Sequence, residues 1–260
     1  MNTSDTRSRM RYYADVIGVL SAKDFKIRYR NSALGFLWSL LNPLASMTIL
    51  TVVFSLLLRS NIPNYAAWLL IGLLVWRFFQ IGTSQSLYSI LGNPSLVSKI
   101  YVKRYILVFS NNLANFLGCV LEFAALLPLL LWLGVKLSYL VLIFPLLLLL
   151  EFLLIFALSL SLSALNMKYR DLFQIWEIAT QLGFFLSPIF YSITLIPARF
   201  QTIYSLNPVT QLIQAGREML LFGQYPSASA FIIIVASIVI LLIVGSLIFF
   251  KLEKRFAEEL

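Results

Sequence analysis

Of the chain's 260 residues, 60% are hydrophobic and only 12% are charged, and the formal net charge is +9. This apolar share is well above that of water-soluble domains and excludes an ordinary soluble fold, so we expect an all-α, polytopic membrane protein. The chain has one cysteine and no histidine. An intramolecular disulfide is therefore excluded, and the composition argues against a nitrogen-rich metal site.

Residues 1–33 predict a cytoplasmic amphipathic interface helix. Apolar side chains recur there at roughly helical spacing, while charged residues take the other faces. The apolar positions are Tyr13, Val16, Ile17, Leu20 and Ile27. The alternative is a basic tail that only fixes the orientation in the membrane, because such tails need no apolar stripe.

Six apolar windows follow and define a transmembrane domain over residues 34–250, ahead of a cytoplasmic tail at 251–260. Each window is close to the ~20 residues that an α-helix needs to cross a bilayer. The windows are 34–58, 65–91, 106–134, 139–165, 173–193 and 228–250. We therefore predict six transmembrane helices.

The basic residues predict the orientation of these spans. Fifteen of the 20 Lys and Arg residues fall on the side of the two termini, and one lies within a span. The four on the opposite side are Arg59, Lys136, Arg199 and Arg217. By the positive-inside rule both termini are cytoplasmic, and we expect a multi-pass protein of the cytoplasmic (inner) membrane. Because the positive charge follows the membrane borders, membrane lipids are expected partners and nucleic acid is not.

The loop at 92–105, between the second and third windows, is basic and lies on the cytoplasmic side. Its short amphipathic stretch could dock against a peripheral partner. The residues predicted to make this contact are Ser98, Lys99, Lys103 and Arg104. A cytoplasmic loop is basic in any membrane protein, so an ordinary topogenic loop is an equal alternative.

The connection at 196–223 predicts short helices that do not cross the membrane. Asn207 and Pro208 are a favourable helix start, with Asn as the N-cap and Pro at the first helical position. About 15 apolar-faced residues then run to Gly223, too few to span a bilayer. We expect a re-entrant or interfacial segment on the external side.

Three ionisable residues lie near the middle of predicted spans, where charge is costly unless it is paired. They are Arg77, Glu122 and Glu151. We predict a structural ion-pair cluster in preference to a proton relay, because no histidine and no further carboxylate continues a path.

The order of these features resembles one known family. Basic, aromatic, glycine and proline residues open the first span, and a Pro-broken segment and an Asn-Pro helix start follow far along the chain. The matching stretches are Arg28-Tyr29…Ser32…Leu34-Gly35…Trp38…Pro43, Ser187-Pro188-Ile189-Phe190-Tyr191 and Asn207-Pro208…Arg217. They resemble the membrane (permease) subunits of type-2 ABC exporters for polysaccharides, the O-antigen, capsule and teichoic-acid permeases.

The resemblance implies a non-catalytic half-transporter that forms a homodimer and works with two copies of a separate ABC ATPase. ATP and Mg would bind to that partner and no cofactor to this chain, which has no G-x-x-x-x-G-K-[ST] phosphate-binding motif. The loop at 92–105 would be the coupling or gate element that contacts the ATPase. The implied substrate is a lipid-linked polysaccharide, carried across the cytoplasmic membrane.

A glycan presents hydroxyls and apolar C–H faces, so its passage should offer aromatic side chains. The candidates are Phe36, Trp38, Phe184, Phe185, Phe190 and Tyr191. The alternative is an interfacial or lipid-facing belt. Arg28 and Arg30, directly before the first span, are candidates to clamp the lipid pyrophosphate, although topogenic charge explains them almost equally well.

Three other functions stay open at this point. An ABC exporter of small hydrophobic compounds would need an apolar pocket open to the bilayer. A polytopic enzyme acting on isoprenoid-linked sugars would need acid/base groups at the cytoplasmic interface, where Asp171 and Glu177 are the only carboxylates near a loop between spans. A non-catalytic scaffold would not purify with an ATPase.

Overall fold

The structure is a computed structural model that describes residues 3–30, 34–57, 62–94, 96, 103–254 and 256. Within these residues nine α-helices occur and no strand, which confirms the all-α class. The helices are α1 (Thr3–Tyr29), α2 (Leu37–Thr51), α3 (Tyr65–Ser86), α4 (Tyr105–Trp132), α5 (Phe144–Lys168), α6 (Leu172–Leu186), α7 (Ala198–Leu206), α8 (Pro208–Leu221) and α9 (Ala228–Glu253). A π-helical stretch, Val52–Leu57, continues α2, and 3₁₀ turns lie at Tyr139–Leu142 and Ile193–Leu195.

Five helical segments in the described part of the chain are long and apolar enough to cross a membrane, so the protein is a multi-pass membrane protein. They are Leu37–Ser55, Tyr65–Ser86, Tyr105–Trp132, Tyr139–Lys168 and Ala228–Glu253. The predicted fifth span forms the shorter helix α6, whose 15 residues extend about 22 Å. It ends where Ser187 takes an extended conformation before Pro188, because a residue that precedes proline is driven out of the helical region.

Helix α3 is the central element of the bundle. Most of its side chains are buried, and it packs against α2, α4, α5, α6 and α8. Helix α9 lies along α5. Their backbones approach closely at Gly245, where an added Cβ would lie 2.4 Å from the carbonyl oxygen of Ala157. Only glycine permits this approach, so the contact at Gly245 fixes the position of α9 along α5.

The bundle has two ends that differ in what covers them. At the first, called here the α1 end, α1 packs along α4. The Ser21 hydroxyl donates to the carbonyl oxygen of Ser110 (3.1 Å), and Lys23 donates to the side-chain oxygen of Asn93 (2.8 Å). Ile27, predicted to lie in the apolar face of α1, is 59% exposed. The apolar face of α1 that is partly buried therefore includes Tyr13, Val16, Ile17 and Leu20 but not Ile27.

The opposite end, called here the α8 end, carries the two short helices that the sequence predicts in this connection. The predicted helix start is confirmed: the Asn207 side-chain oxygen accepts a hydrogen bond from the Val209 amide (3.0 Å), and Pro208 is the first helical residue. Gly223 follows the helix with a φ of +61°, a conformation that favours glycine. The buried side of α8 packs against α3 and α5.

Candidate functional site

A cavity of about 590 Å³ lies at the α1 end, between the end of α1, the start of α2, α3 and α4. Its wall combines apolar side chains with amides, two guanidinium groups and a carboxylate. The lining residues are Arg28, Gly35, Trp38, Ser39, Leu41, Asn42, Ala45, Arg77, Ile81, Gln85 and Glu122. The cavity therefore gathers residues that the sequence placed in three separate predicted sites.

Helical spacing explains how α3 contributes to this wall. Arg77, Ile81 and Gln85 follow one another at four-residue steps and so lie along one face of the helix. Gln85 is close to the end of α3, and Arg77 lies two turns deeper, about 12 Å along the helix axis. Trp38, 59% exposed, faces the same cavity from the first turn of α2. The cavity thus extends from the end of the bundle towards its middle.

The Arg28 side chain turns into the bundle at the end of α1. One of its terminal nitrogens donates to the side-chain oxygens of Gln85 and Asn115. Both acceptors are neutral amides, so they orient the guanidinium group without cancelling its charge. Among the described residues, no carboxylate forms an ion pair with Arg28.

Arg30 does not reach this cavity. It lines a separate space on the outer side of α1, together with Val19 and Lys26. Arg30 lies in the turn that follows the last residue of α1, Tyr29, whereas Arg28 is still within the helix. The structure therefore does not bring together the two arginines that the sequence suggested as one clamp.

The Arg77 and Glu122 side chains meet inside the cavity, with Arg77 Nε 3.5 Å from Glu122 Oε2. This distance exceeds that of a hydrogen bond, and Arg77 Nε has no hydrogen-bond partner among the described residues. Glu151, predicted to join this cluster, is 1% exposed on α5 and forms no ion pair with a described residue. The prediction of a three-residue cluster is corrected to a pair, because both Glu151 carboxylate oxygens are buried with no hydrogen-bond partner among the described residues.

The six predicted passage aromatics fall into two groups. Trp38 lines the cavity and Phe36 lies directly before α2, at the α1 end. The other four follow or end α6, at the α8 end. The second group contacts the π-helical continuation of α2 through Phe54, whose ring centroid is 5.2 Å from that of Phe190. Sixteen residues separate Trp38 from Phe54, so the groups lie roughly 24 Å apart along α2.

The aromatic side chains at the α8 end contact one another. Phe190 has ring neighbours at 5.8 Å in Phe184 and at 5.0 Å in Tyr191. The Tyr191 hydroxyl donates to the carbonyl oxygen of Phe185 (3.2 Å) and that of Leu186 (3.0 Å). Phe184 is partly buried against the core, whereas Phe185 is 58% exposed. Within this group, Phe185 is the side chain most available to a ligand.

Of the four residues predicted to contact a partner, Ser98 and Lys99 lie outside the described residues. Lys103 is exposed at the start of α4, and its ammonium group lies over the Tyr13 ring at 5.6 Å. Arg104 donates to the carbonyl oxygen of Glu253 (2.6 Å) and lies 5.8 Å from the Phe256 ring. The Arg104 side chain therefore ties α4 to the end of α9, a role that the sequence did not indicate.

The sequence assigns Arg217 to the membrane side opposite the termini, and the structure adds that its side chain is buried at the α8 end. It is 1% exposed, and its guanidinium carbon lies 3.3 Å from the centroid of the Trp68 ring. Its nitrogens donate to the carbonyl oxygens of Trp68 (3.2 Å), Pro188 (2.8 Å) and Ile189 (2.8 Å). Arg217 follows the buried Ile213 by four residues and so lies on the same face of α8, and this spacing is the signal in the sequence that indicates its burial.

These features define a class of protein: a polytopic helical membrane protein with a polar, cationic cavity at one end of its bundle. Within the described residues, no group of three or more Cys, Asp and Glu side chains could hold a metal ion. Residues 15–221 match the model of the ABC-2 type transporter family. The chain belongs to this family.

The chain is similar to proteins that are named for O-antigen export and for polysialic acid transport. The chain is 33% identical over 249 residues to an O-antigen export system permease protein RfbA of Klebsiella pneumoniae, covering 95% of both chains. It is 30% identical over 254 residues to the protein of the same name from Myxococcus xanthus, covering 95% of this chain and 96% of the relative. It is 22% identical over 211 residues to the polysialic acid transport protein KpsM of Escherichia coli, covering 80% and 81%.

Proposed function

We propose that this chain is the membrane subunit of an ATP-driven exporter that carries a lipid-linked polysaccharide across the cytoplasmic membrane. The observation that carries the proposal is the cavity at the α1 end, which is lined by Arg28, Arg77 and Trp38 together. Guanidinium groups bind phosphate oxygens, and an aromatic face packs against the C–H face of a sugar. The names of the relatives, for O-antigen export and polysialic acid transport, support the polymer class.

In this proposal the α1 end faces the cytoplasm, where the substrate is made, and both termini lie on that side. The positive-inside rule supports this orientation. The chain is non-catalytic and forms a homodimer. Two copies of a separate ABC ATPase bind ATP and Mg and contact the loop at 92–105, with the exposed Lys103 as a contact residue.

The passage would lie between the two copies, along α2 and α6. Both helices pack against α3 but leave large apolar side chains uncovered, among them Ile49 on α2 and Ile178 on α6. The two aromatic groups lie at opposite ends of this uncovered surface. A polymer entering from the cytoplasm would meet Trp38 first and Phe185 last.

The proposal is tested by reconstitution of the chain with its ATPase into vesicles that contain a lipid-linked glycan. We expect export of the glycan that depends on ATP, and hydrolysis that the glycan stimulates. Stimulation by small hydrophobic compounds but not by the glycan would favour the drug-exporter alternative. A chemically altered sugar lipid in the absence of ATP would instead indicate an enzyme, and either outcome would overturn the proposal.

A further inference from the structure

We infer that Arg28 and Arg77 together form one diphosphate-binding site, and that Glu122 is a displaceable counter-ion within it. In this exchange a phosphate group of the ligand replaces the Glu122 carboxylate as the ion-pair partner of Arg77. The inference deepens the proposed function and rests on it only for the identity of the lipid that carries the diphosphate.

The position of the two arginines supports a shared site. Both arginines line the same cavity, and Glu122 lines it with them. They are held by different elements, Arg28 by α1 and Arg77 by α3. A ligand with two phosphates could therefore engage one guanidinium near the end of the bundle and the other deeper inside.

The charges of the cavity are complementary to a diphosphate. Two guanidinium groups and one carboxylate line it, which leaves one positive charge without an anion. A diphosphate supplies at least two negative charges and acceptor oxygens that suit the planar donors of arginine. The same cavity offers the Trp38 ring to the first sugar, which a site for a simple anion would not need.

The geometry of the Arg77–Glu122 pair favours replacement of Glu122 by a phosphate over a permanent ion pair. A tight arginine–carboxylate pair makes two short, parallel hydrogen bonds. Here the nitrogen and oxygen are 3.5 Å apart, and the Nε hydrogen has no partner in the described part of the chain. Glu122 thus keeps the charge of Arg77 compensated, as burial near the middle of a membrane requires, while the Nε hydrogen of Arg77 is left without an acceptor among the described residues.

The test measures binding by the full-length protein in lipid nanodiscs, without ATP. The probes are farnesyl diphosphate, inorganic pyrophosphate and farnesol. If farnesyl diphosphate binds more tightly than inorganic pyrophosphate and farnesol, the ligand of the site is a lipid headgroup. If inorganic pyrophosphate binds as tightly as farnesyl diphosphate, the ligand is a free anion at the same site. Failure of all diphosphates to bind overturns the inference.

Glu122→Gln is the decisive variant. Removal of the competing carboxylate should tighten farnesyl diphosphate binding, by roughly threefold to tenfold, because charge-assisted hydrogen bonds are worth a few times RT. Arg77→Gln and Arg28→Gln should each weaken it about tenfold or more. If the Arg77–Glu122 pair only holds α3 against α4, Glu122→Gln should lower the thermal stability without increasing the affinity for farnesyl diphosphate. That result would contradict the inference.

Two further variants keep the test decisive if Glu122→Gln does not fold. Asn42→Asp adds a carboxylate to the exposed wall of the same cavity without disturbing the pair, and it should weaken diphosphate binding. Lys26→Gln, which removes one positive charge on the outer side of α1, is the matched control and should leave binding unchanged. Unaltered affinity in Asn42→Asp, or equal losses in Lys26→Gln and Arg28→Gln, would contradict a localised site.

The inference and the proposed function can fail separately. Diphosphate binding with the expected variant pattern, but no glycan export after reconstitution, would leave the site standing and refute the exporter. Export that is insensitive to Arg77→Gln and Glu122→Gln would leave the exporter standing and refute the site.

Discussion

The Arg217 guanidinium stacks on the Trp68 ring at 3.3 Å and donates to the carbonyl oxygen of the same tryptophan at 3.2 Å. A cation over an indole is stabilised by about 2 kcal/mol or more when water is excluded. Two further hydrogen bonds go to Pro188 and Ile189, where the chain turns after α6. One side chain on α8 therefore fixes the start of α3 and the break after α6 at the same time.

We expect Arg217→Lys to destabilise the protein by about 2–4 kcal/mol, because an ammonium group cannot reproduce the planar stack and the three-way donation. The measurement is thermal or denaturant unfolding in detergent. Arg199→Lys is the matched control, since Arg199 is exposed and lies over the Phe200 ring at 4.7 Å. Equal losses in the two variants would show that the buried position of Arg217 does not matter.

Gly72→Ala should lower stability by about 1–3 kcal/mol through overpacking. The added methyl group would lie 2.7 Å from Arg217 Nη2 and 3.2 Å from the carbonyl oxygen of Ile189. Gly18→Ala in α1 is the control, because an added Cβ there meets nothing within 4 Å and alanine favours a helix. The prediction fails if Gly72→Ala melts at or above the temperature of the wild-type protein.

A double-mutant cycle on Arg77→Ala and Glu122→Ala should give a coupling energy of about 0.5–3 kcal/mol in unfolding. Loss of either partner leaves the other charge buried and unpaired, so the double variant should recover part of the single losses. The cycle of Arg77→Ala with Glu151→Ala should show coupling near zero, since the structure shows no ion pair between them. Strong coupling to Glu151 would restore the three-residue cluster.

Phe184 and Phe185 are neighbours with different surroundings, and we expect Ala variants to separate their roles. Phe184→Ala should lower stability by about 1–3 kcal/mol, because its ring packs against the core. Phe185→Ala should fold normally but reduce polymer export, whereas Phe185→Trp should retain more export than Phe185→Leu. Vesicle export assays measure this, and equal export by the Trp and Leu variants would remove the stacking argument.

Arg28→Gln should reduce the stimulation of ATP hydrolysis by a lipid-linked glycan, while basal hydrolysis by the complex stays near normal. Arg28 points into the cavity, whereas Arg30 lines the outer side of α1. Arg30→Gln should therefore reduce stimulation much less. If the two variants reduce stimulation equally, Arg28 and Arg30 act together, as the sequence suggests, and their different positions in the structure do not matter.

The sequence was sufficient where structure depends on neighbours along the chain. The start of α8 follows from the capping chemistry of Asn207 and the fixed φ of Pro208. The end of α6 follows from Pro188, which displaces the preceding residue from helical geometry. Five full-length apolar helices follow from the hydrophobic windows alone.

The sequence was insufficient where contacts join distant segments. The membrane side assigned to Arg217 does not indicate its burial, which depends on three acceptor carbonyls 28 to 149 residues away along the chain. Glu151 was grouped with Arg77 because both lie mid-span, but depth along a helix does not specify which neighbour a side chain faces. The separation of Arg28 from Arg30 depends on the end of α1 at Tyr29, which leaves Arg28 in the helix and Arg30 in the following turn.

The bond from Arg104 to Glu253, at the end of α9, has a mechanical consequence. Because α9 is also seated on α5 at Gly245, and α1 is bonded to α4 through Ser21, these four helices form one stiff unit. A force applied near Lys103 is transmitted to all of them together. We therefore expect the spans α2 and α6, where Ser39, Pro43 and Thr180 are the buried residues, to be the long elements that move during a transport cycle.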